Sequence, residues 1–266
     1  MRGLQFALVS PALLLIACGG DTRLLAPDNV SPALRGVAIA GADAILTGVP
    51  TPYTASGSFS NGTSGNLTAT WRSSNPAVAT VDPTGLVEGR SQGSAMVTAS
   101  YMGRDVSKRV EVVNNYGGRW EGQYRVLSCQ DSGDLTDHDG GWCRTAYTPG
   151  RVYRITLDIA HDPGDPASVT VSLWDASYRG SVGSDGRLTV AGISDVLDWD
   201  RDVVATREIH AEAGLSPDGA VSGRFQESYN SILFRKGTAR MEHELLTMTR
   251  TAPAGAAMPL RSATGR

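Results

Sequence analysis

The sequence predicts an all-β chain: a β-sandwich followed by an antiparallel β-barrel, with a second β-sandwich as the alternative for the latter. Three observations predict it. The 266 residues include 31 glycines, alongside many Val, Thr and Ser and few helix-favouring runs, a composition suited to strands and tight turns. Short stretches alternate apolar and polar side chains with a period of two, the mark of half-buried strands. Asp-Gly pairs recur between those stretches, and Asp-Gly is a strong short-range hairpin signal.

The chain opens with Arg2, an apolar run from Leu4 to Ala17, and then Cys18. The run is shorter than the roughly 20 residues of a spanning helix, and charge, apolar stretch and small residues follow the plan of an export signal. Leu15-Ile16-Ala17-Cys18 resembles the lipobox of bacterial lipoproteins. That resemblance implies residues 1–17 as a removed signal peptide and acylation of Cys18, with membrane lipid as the partner of the anchor. Several acyl chains hold a protein stably, whereas one is marginal. Gly19, in place of Asp, points to the outer membrane by the sorting rule of enteric bacteria. The localisation expected is therefore the cell envelope, periplasmic or surface-exposed.

Removing Arg2 with the signal leaves 23 Lys plus Arg against 27 Asp plus Glu, so the formal charge moves from -3 to -4. No basic stripe is present, and nucleic acid is excluded as a partner. Residues 18–34 are rich in Gly, Asp, Pro and Ser without an apolar period, as in a flexible tether.

Residues 35–113 carry the first strand-rich module. Leu67, Ala69 and Trp71 alternate with Thr68 and Thr70; Ala95, Val97 and Ala99 alternate with Met96 and Thr98; Val110 and Val112 flank Glu111. The run from Thr70-Trp71-Arg72-Ser73-Ser74-Asn75-Pro76 through Ala77-Val78-Ala79-Thr80-Val81-Asp82, with Gly85-Leu86-Val87 and Gly93-Ser94-Ala95, resembles the bacterial immunoglobulin-like group 2 domain (BIG2). The resemblance implies an immunoglobulin-like sandwich with a buried Trp71, a Ser-Asn-Pro turn and a tight hairpin after Asp82. It also implies a spacer or a module for adhesion or carbohydrate binding, without chemistry of its own.

Residues 117–250 hold the second module. Trp120, Gly122, Tyr124 and Val126 share one face of a strand. Further strands read Tyr153 to Ile159, Val169 to Leu173, Leu188 to Val190, Ile209 to Leu215, Val221 to Phe225, and Arg240 through Thr249. Asp162-Pro163-Gly164, Ser184-Asp185-Gly186 and Pro217-Asp218-Gly219 supply turns. Hairpin connections throughout imply an up-and-down barrel. Gly118-Arg119-Trp120-Glu121-Gly122-Gln123-Tyr124 resembles the first strand of the lipocalin and calycin barrels, which implies a carrier with an apolar cavity. Residues 251–266 are small, Pro-containing and unpatterned, as in a disordered tail.

Cys129 and Cys143 remain after Cys18 is assigned to lipid. In an oxidising envelope an even pair reads as a disulfide, with free thiols or a metal pair as the alternative. Asp131, Asp134, Asp137, His138 and Asp139 crowd the loop between them and offer oxygen ligands suited to calcium. The regular Asp-x-Asp-x-Asp-Gly spacing is missing, so a solvated loop is the preferred reading. Asp198, Asp200 and Asp202 around Trp199 are read the same way. No metal and no cofactor are expected.

Strand parity places Glu227 and Tyr229 with Phe225 on the inner face, and His243 beside Met241 and Leu245. With Tyr124 these form a candidate ligand site, or an acid/base pair if Glu227 and His243 converge in a cleft. No nucleophile motif is present, and no catalytic residues are assigned. The function expected is non-catalytic: a lipid-anchored envelope protein whose Ig-like spacer presents a β-rich domain to a surface polysaccharide or protein. Trp174, Trp199 and Tyr178 are expected outside as the recognition patch. A carrier of a small apolar ligand comes second, and an enzyme third.

Overall fold

The computed structural model describes residues 31–136, 141–197, 203–231 and 236–253. The signal segment with Cys18, most of the tether, Asp137 to Asp139, Asp198 to Asp202 and the tail from 254 lie outside the described residues.

The first module is built from three small sheets. One has the order β1 (Leu34–Ala40), β4 (Thr54–Phe59), β5 (Ser64–Leu67). A second has the order β2 (Ala44–Leu46), β10 (Arg104–Val113), β9 (Gly93–Tyr101), β6 (Thr70–Ser73), with β2 parallel to β10. The third pairs β8 (Leu86–Gly89) with β3 (Thr51–Pro52) and β7 (Ala79–Val81). Ile45, Tyr53, Val87, Val97, Val110 and Val112 fill the space between them. The run from Leu67 to Trp71 is two strands: β5 pairs with β4 while β6 pairs with β9. The chain thus changes sheet at Thr68 and Ala69. Trp71 is half-buried against this core, less deeply than the resemblance implies. At the hairpin after Asp82, the carboxylate accepts the backbone N–H groups of Thr84 and Leu86, and Gly85 adopts φ +88°. A side chain there would be strained and would run into the Tyr53 carbonyl.

The second module is a closed barrel, which decides against a second sandwich. Its strands are β11 (Gly118–Gly133), β12 (Val152–His161), β13 (Ser168–Leu173), β14 (Ala176–Val182), β15 (Leu188–Leu197), β16 (Val203–Leu215), β17 (Val221–Ser231) and β18 (Gly237–Pro253). Each is antiparallel to the next, and β18 returns to β11. The alternation read from the sequence is the in-out alternation of the wall. Closure requires sharp bends, and the β11–β18 ladder slips register at three places. Strand β18 extends further than expected. Ala252 and Pro253 pair with Arg119 and Gly118, so residues 251–253 belong to the barrel and not to a tail. The start of β11 otherwise has an unpaired edge on that side.

Each end of the barrel is closed. At the lower end Tyr116, fully buried, joins the barrel core together with Leu46 and Val113 of the first module. The Tyr116 hydroxyl donates to the Gly186 carbonyl at 2.7 Å, and its carbonyl accepts the Trp120 indole N–H at 2.7 Å. Gln92 and Asn114 donate to the carbonyls of Ser184 and Gly186. The two modules therefore share one continuous core. At the upper end a short 3₁₀ turn (Asp134–Thr136) and the four-residue helix α1 (Trp142–Thr145) lie across the opening. A Cys129–Cys143 disulfide with Cα atoms 5.3 Å apart pins α1 to β11.

Candidate functional site

Strands β16, β17 and β18 bring a polar cluster to the upper half of the interior. The ladders set Tyr229 opposite Arg207, and His243 opposite Phe225. Glu227 then faces both: Oε1 lies 3.2 Å from Arg207 Nε, and Oε2 lies 3.5 Å from His243 Nε2. Arg207 Nε donates to the Tyr229 hydroxyl at 2.6 Å, and Arg207 Nη1 reaches Asp175 Oδ1 at 3.2 Å. His243 stacks on Phe225 with ring centres 4.4 Å apart and receives the edge of Tyr124 at 4.9 Å. Tyr124, Glu227, Tyr229 and His243 thus share one cluster.

The roof is aromatic. Trp142 of α1 meets Tyr229 edge-on at 5.0 Å, and Tyr147 lies 6.2 Å from His243. Tyr153 donates to the Ala146 carbonyl and Arg151 to that of Thr145, tying the roof to β12. Two carboxylates of the loop that offered oxygen ligands suited to calcium are engaged with backbone. Asp131 accepts the Cys143 N–H and Asp134 accepts that of Lys236. Among the described residues no group of three His, Cys, Asp or Glu side chains is arranged to hold a metal.

Burial dominates the electrostatics. Glu227 is 1% exposed and His243 0%, and neither side chain makes a hydrogen bond among the described residues. The contacts to Arg207 and His243 are close approaches of charge-bearing atoms without hydrogen-bond geometry. Burial opposes the charge on Arg207, but Tyr229 and Glu227 outweigh it and hold the guanidinium above its usual pKa. Burial, then Glu227 and Tyr153, pushes the Tyr147 phenol up to about 12. Tyr124 and Tyr229 are raised too, first by burial and then by neighbouring groups including Glu227. All three phenols therefore stay protonated at neutral pH.

This geometry bears on the carrier and enzyme alternatives. Among the described residues Glu227 and His243 converge beneath Trp142 and Tyr147, buried and not in an open cleft. Beneath them the barrel encloses an apolar cavity of about 50 Å³ bordered by Trp120, Ile155, Leu157, Phe225 and Leu245. Ligand pockets run to about 300–1,000 Å³, so this cavity is smaller than those. Large side chains from every strand fill the interior.

Reading the sequence did not single out Arg207, Asp175, Trp142 or Tyr147 as part of this cluster. Arg207 was within reach: it lies in phase with Ile209, Ala211 and Ala213, so the same parity carries it inward. The roof residues have no such signal, because their approach depends on the loop path.

The cluster reaches the surface at the β13–β14 hairpin. The β13–β14 hairpin has a two-residue turn, Trp174 and Asp175, closed by the Leu173–Ala176 pair. Trp174 adopts φ +54°, a left-handed conformation that such turns usually give to Gly. Its indole is 47% exposed, and the Arg207 guanidinium lies 4.6 Å from its centre. Tyr178, expected outside with Trp174, is 2% exposed. It is in phase with Val182 and turns inward, its hydroxyl 2.7 Å from Ser194 Oγ. Trp199 lies outside the described residues.

Over 110 residues the chain is 35% identical to Ice-binding protein 1 of Shewanella frigidimarina (strain NCIMB 400), covering 36% of this chain and 11% of that protein. The chain thus spans about a tenth of the length of that curated relative. Among solved structures, domains 5-6 of the S-layer protein SbsC align at 14% identity and a TM-score of 0.28, covering 79% of this chain and 97% of that one. The S-layer protein rSbsC(31-844) aligns at 13% identity and a TM-score of 0.25, covering 78% and 39%. Residues 41–111 match the model of the bacterial Ig-like domain (group 2), and this segment of the chain is such a domain.

Proposed function

We propose that this chain is a non-catalytic binding protein of the cell envelope. Acylated Cys18 anchors it, the Ig-like module carries the barrel by its closed lower end, and the upper rim around Trp174 meets a surface partner. One observation carries the reading. Trp174 is half-exposed in a backbone conformation unfavourable to its side chain, and a buried Arg–Glu pair supports it from behind. Strain kept at an exposed residue marks a site selected for something other than stability. The roof over Glu227 and His243 favours recognition over catalysis. Sequence similarity to a protein named for binding ice agrees with a role outside the cell.

The test uses the full chain extracted in detergent and mixed with envelope material from the cells that make it. Wild-type protein should sediment with the envelope and Trp174→Gly should stay in solution; equal sedimentation would remove the rim as the binding site. Anchoring is tested separately by metabolic labelling with palmitate. Label should enter the wild-type chain and be absent from Cys18→Ala, and an unlabelled wild type would remove the lipid anchor.

A further inference from the structure

We infer that the Trp174 turn binds the face of a neutral hexopyranose unit in a polysaccharide. This rests on the rim reading above and names the ligand class. An indole with a guanidinium 4.6 Å from its centre and about half its surface exposed has one covered face and one open face. The open face of an aromatic ring carries negative quadrupole charge. The axial C–H hydrogens on one side of a pyranose are weakly positive and lie nearly in a plane, so they match that face.

The surroundings fit a sugar better than a protein. Asp175, next in the turn, pairs through one oxygen with Arg207 while its side chain remains 58% exposed. It can accept a hydroxyl proton while still holding the guanidinium. Ser172, half-buried, and Ser177, exposed, lie 2.9 Å apart through their hydroxyls and flank the turn on β13 and β14. One ring amid hydroxyls and a carboxylate lacks the desolvated apolar centre of a protein hot spot. Charge narrows the class further. Arg207, 10% exposed, is already engaged by Asp175 and Glu227, so the exposed group beside the ring is the Asp175 carboxylate, which disfavours an anionic chain.

The strain at Trp174 makes the test sharp. Glycine is at ease at positive φ, so Trp174→Gly removes the platform while leaving the turn intact. The full chain in detergent is run through gels containing dextran, mannan or hydroxyethyl cellulose as neutral polymers, or alginate as an anionic one. At least one neutral polymer should retard the wild type. Trp174→Gly should weaken that retardation by about tenfold or more, the loss expected of a hot-spot residue, while its thermal midpoint stays near wild type. Asp175→Ala should weaken it as well. Equal retardation of wild type and Trp174→Gly, preferential retardation by alginate, or no retardation by any neutral polymer would overturn the inference.

Pretreating the envelope material separates this failure from that of the rim reading. Binding that depends on Trp174, survives periodate and is lost to protease would mean a protein partner, which leaves the rim in place and overturns the sugar. Binding that periodate abolishes and protease spares supports the sugar. Envelope binding unaffected by Trp174→Gly removes both.

Discussion

Arg207 stands between two environments: its guanidinium lies 4.6 Å from the centre of the exposed Trp174 ring, while its Nε sits 3.2 Å from the buried carboxylate of Glu227. One side chain thus contacts both the barrel interior and the rim. The approach of Arg207 offsets part of the cost of burying Glu227, because burying a lone carboxylate is far more costly than burying a matched one.

Removing one partner should be severe. Arg207→Met leaves Glu227 buried without its cation and should cost about 3–5 kcal/mol. The double variant Arg207→Met/Glu227→Leu should recover most of that loss, since a packed apolar pair can replace a buried ion pair. Urea unfolding of the three proteins decides it; a double variant no more stable than the single would show that the two groups are not coupled.

The roof should depend on its cross-link. Cys129 and Cys143 are 14 residues apart, and a loop of that size is stabilised by about 3 kcal/mol in the chain-entropy model. Cys129→Ala/Cys143→Ala should unfold at correspondingly lower urea. Because Trp142 and Tyr147 would be released from the cluster, near-ultraviolet dichroism should weaken at temperatures below the melt. An unchanged spectrum would mean that packing alone holds the roof.

Tyr116 should couple the modules. Wild-type protein is expected to melt in a single calorimetric transition, because Leu46, Val113 and Tyr116 belong to the same core as the barrel. Tyr116→Ala opens a cavity at the lower end, should cost about 3–5 kcal/mol, and should split the melt into two. Two transitions already in the wild type would show that the modules unfold independently.

Acid should loosen the same junction. His161 Nδ1 accepts the Tyr116 N–H at 3.2 Å and Nε2 lies 2.8 Å from the Pro166 carbonyl. The ring is therefore neutral with its proton on Nε2. Burial above all, and Arg250 to a lesser degree, lower its pKa, against the Pro166 carbonyl, Asp162 and Asp165, which raise it. The unfolded chain takes up this proton first, near the ordinary imidazole value of about 6.5. Stability is thus fully present above that value and declines as pH falls below it toward the folded-state pKa. Asp82, Asp105 and Asp218 are lowered from 3.8 and contribute only at more acidic pH. Urea midpoints between pH 7.5 and 5 should fall in the wild type and flatten in His161→Gln. The same slope in both would move the effect elsewhere.

Trp174→Gly should leave stability nearly unchanged. Glycine tolerates this positive φ, so the substitution relieves about 1 kcal/mol of strain with the turn unchanged, while losing the Arg207 stack costs about 0.5–1 kcal/mol. A thermal melt within a few degrees of wild type is the expected result, and a collapse in stability would mean that the ring is a packing residue.

Much of this architecture is legible along the chain. The inward facing of Glu227, Tyr229 and His243 follows from alternation with Phe225, Met241 and Leu245, and the Asp-Gly pairs mark hairpins where hairpins occur. Tyr178 shows the cost of setting parity aside: it keeps step with Val182 and turns inward, although it was expected at the surface with Trp174. Other features have no local signature. Nothing in the run from Leu67 to Trp71 says that it divides between two sheets. Tyr116 lies in a short polar link and is a core residue only because the barrel end closes around it.

By itself, then, the sequence determined the all-β class, the inward parity of strands such as β17 and β18, and an Ig-like module over residues 35–113, within which residues 41–111 match the bacterial Ig-like domain (group 2). These follow from backbone dihedrals and turn chemistry, which act over a few residues. The tertiary structure alone decided that eight strands close, that α1 roofs the Glu227–His243 pair, and that Arg207 from β16 stands behind Trp174 from a different hairpin. Those outcomes rest on the register between segments distant in the chain, and register is set by the packing of the whole barrel.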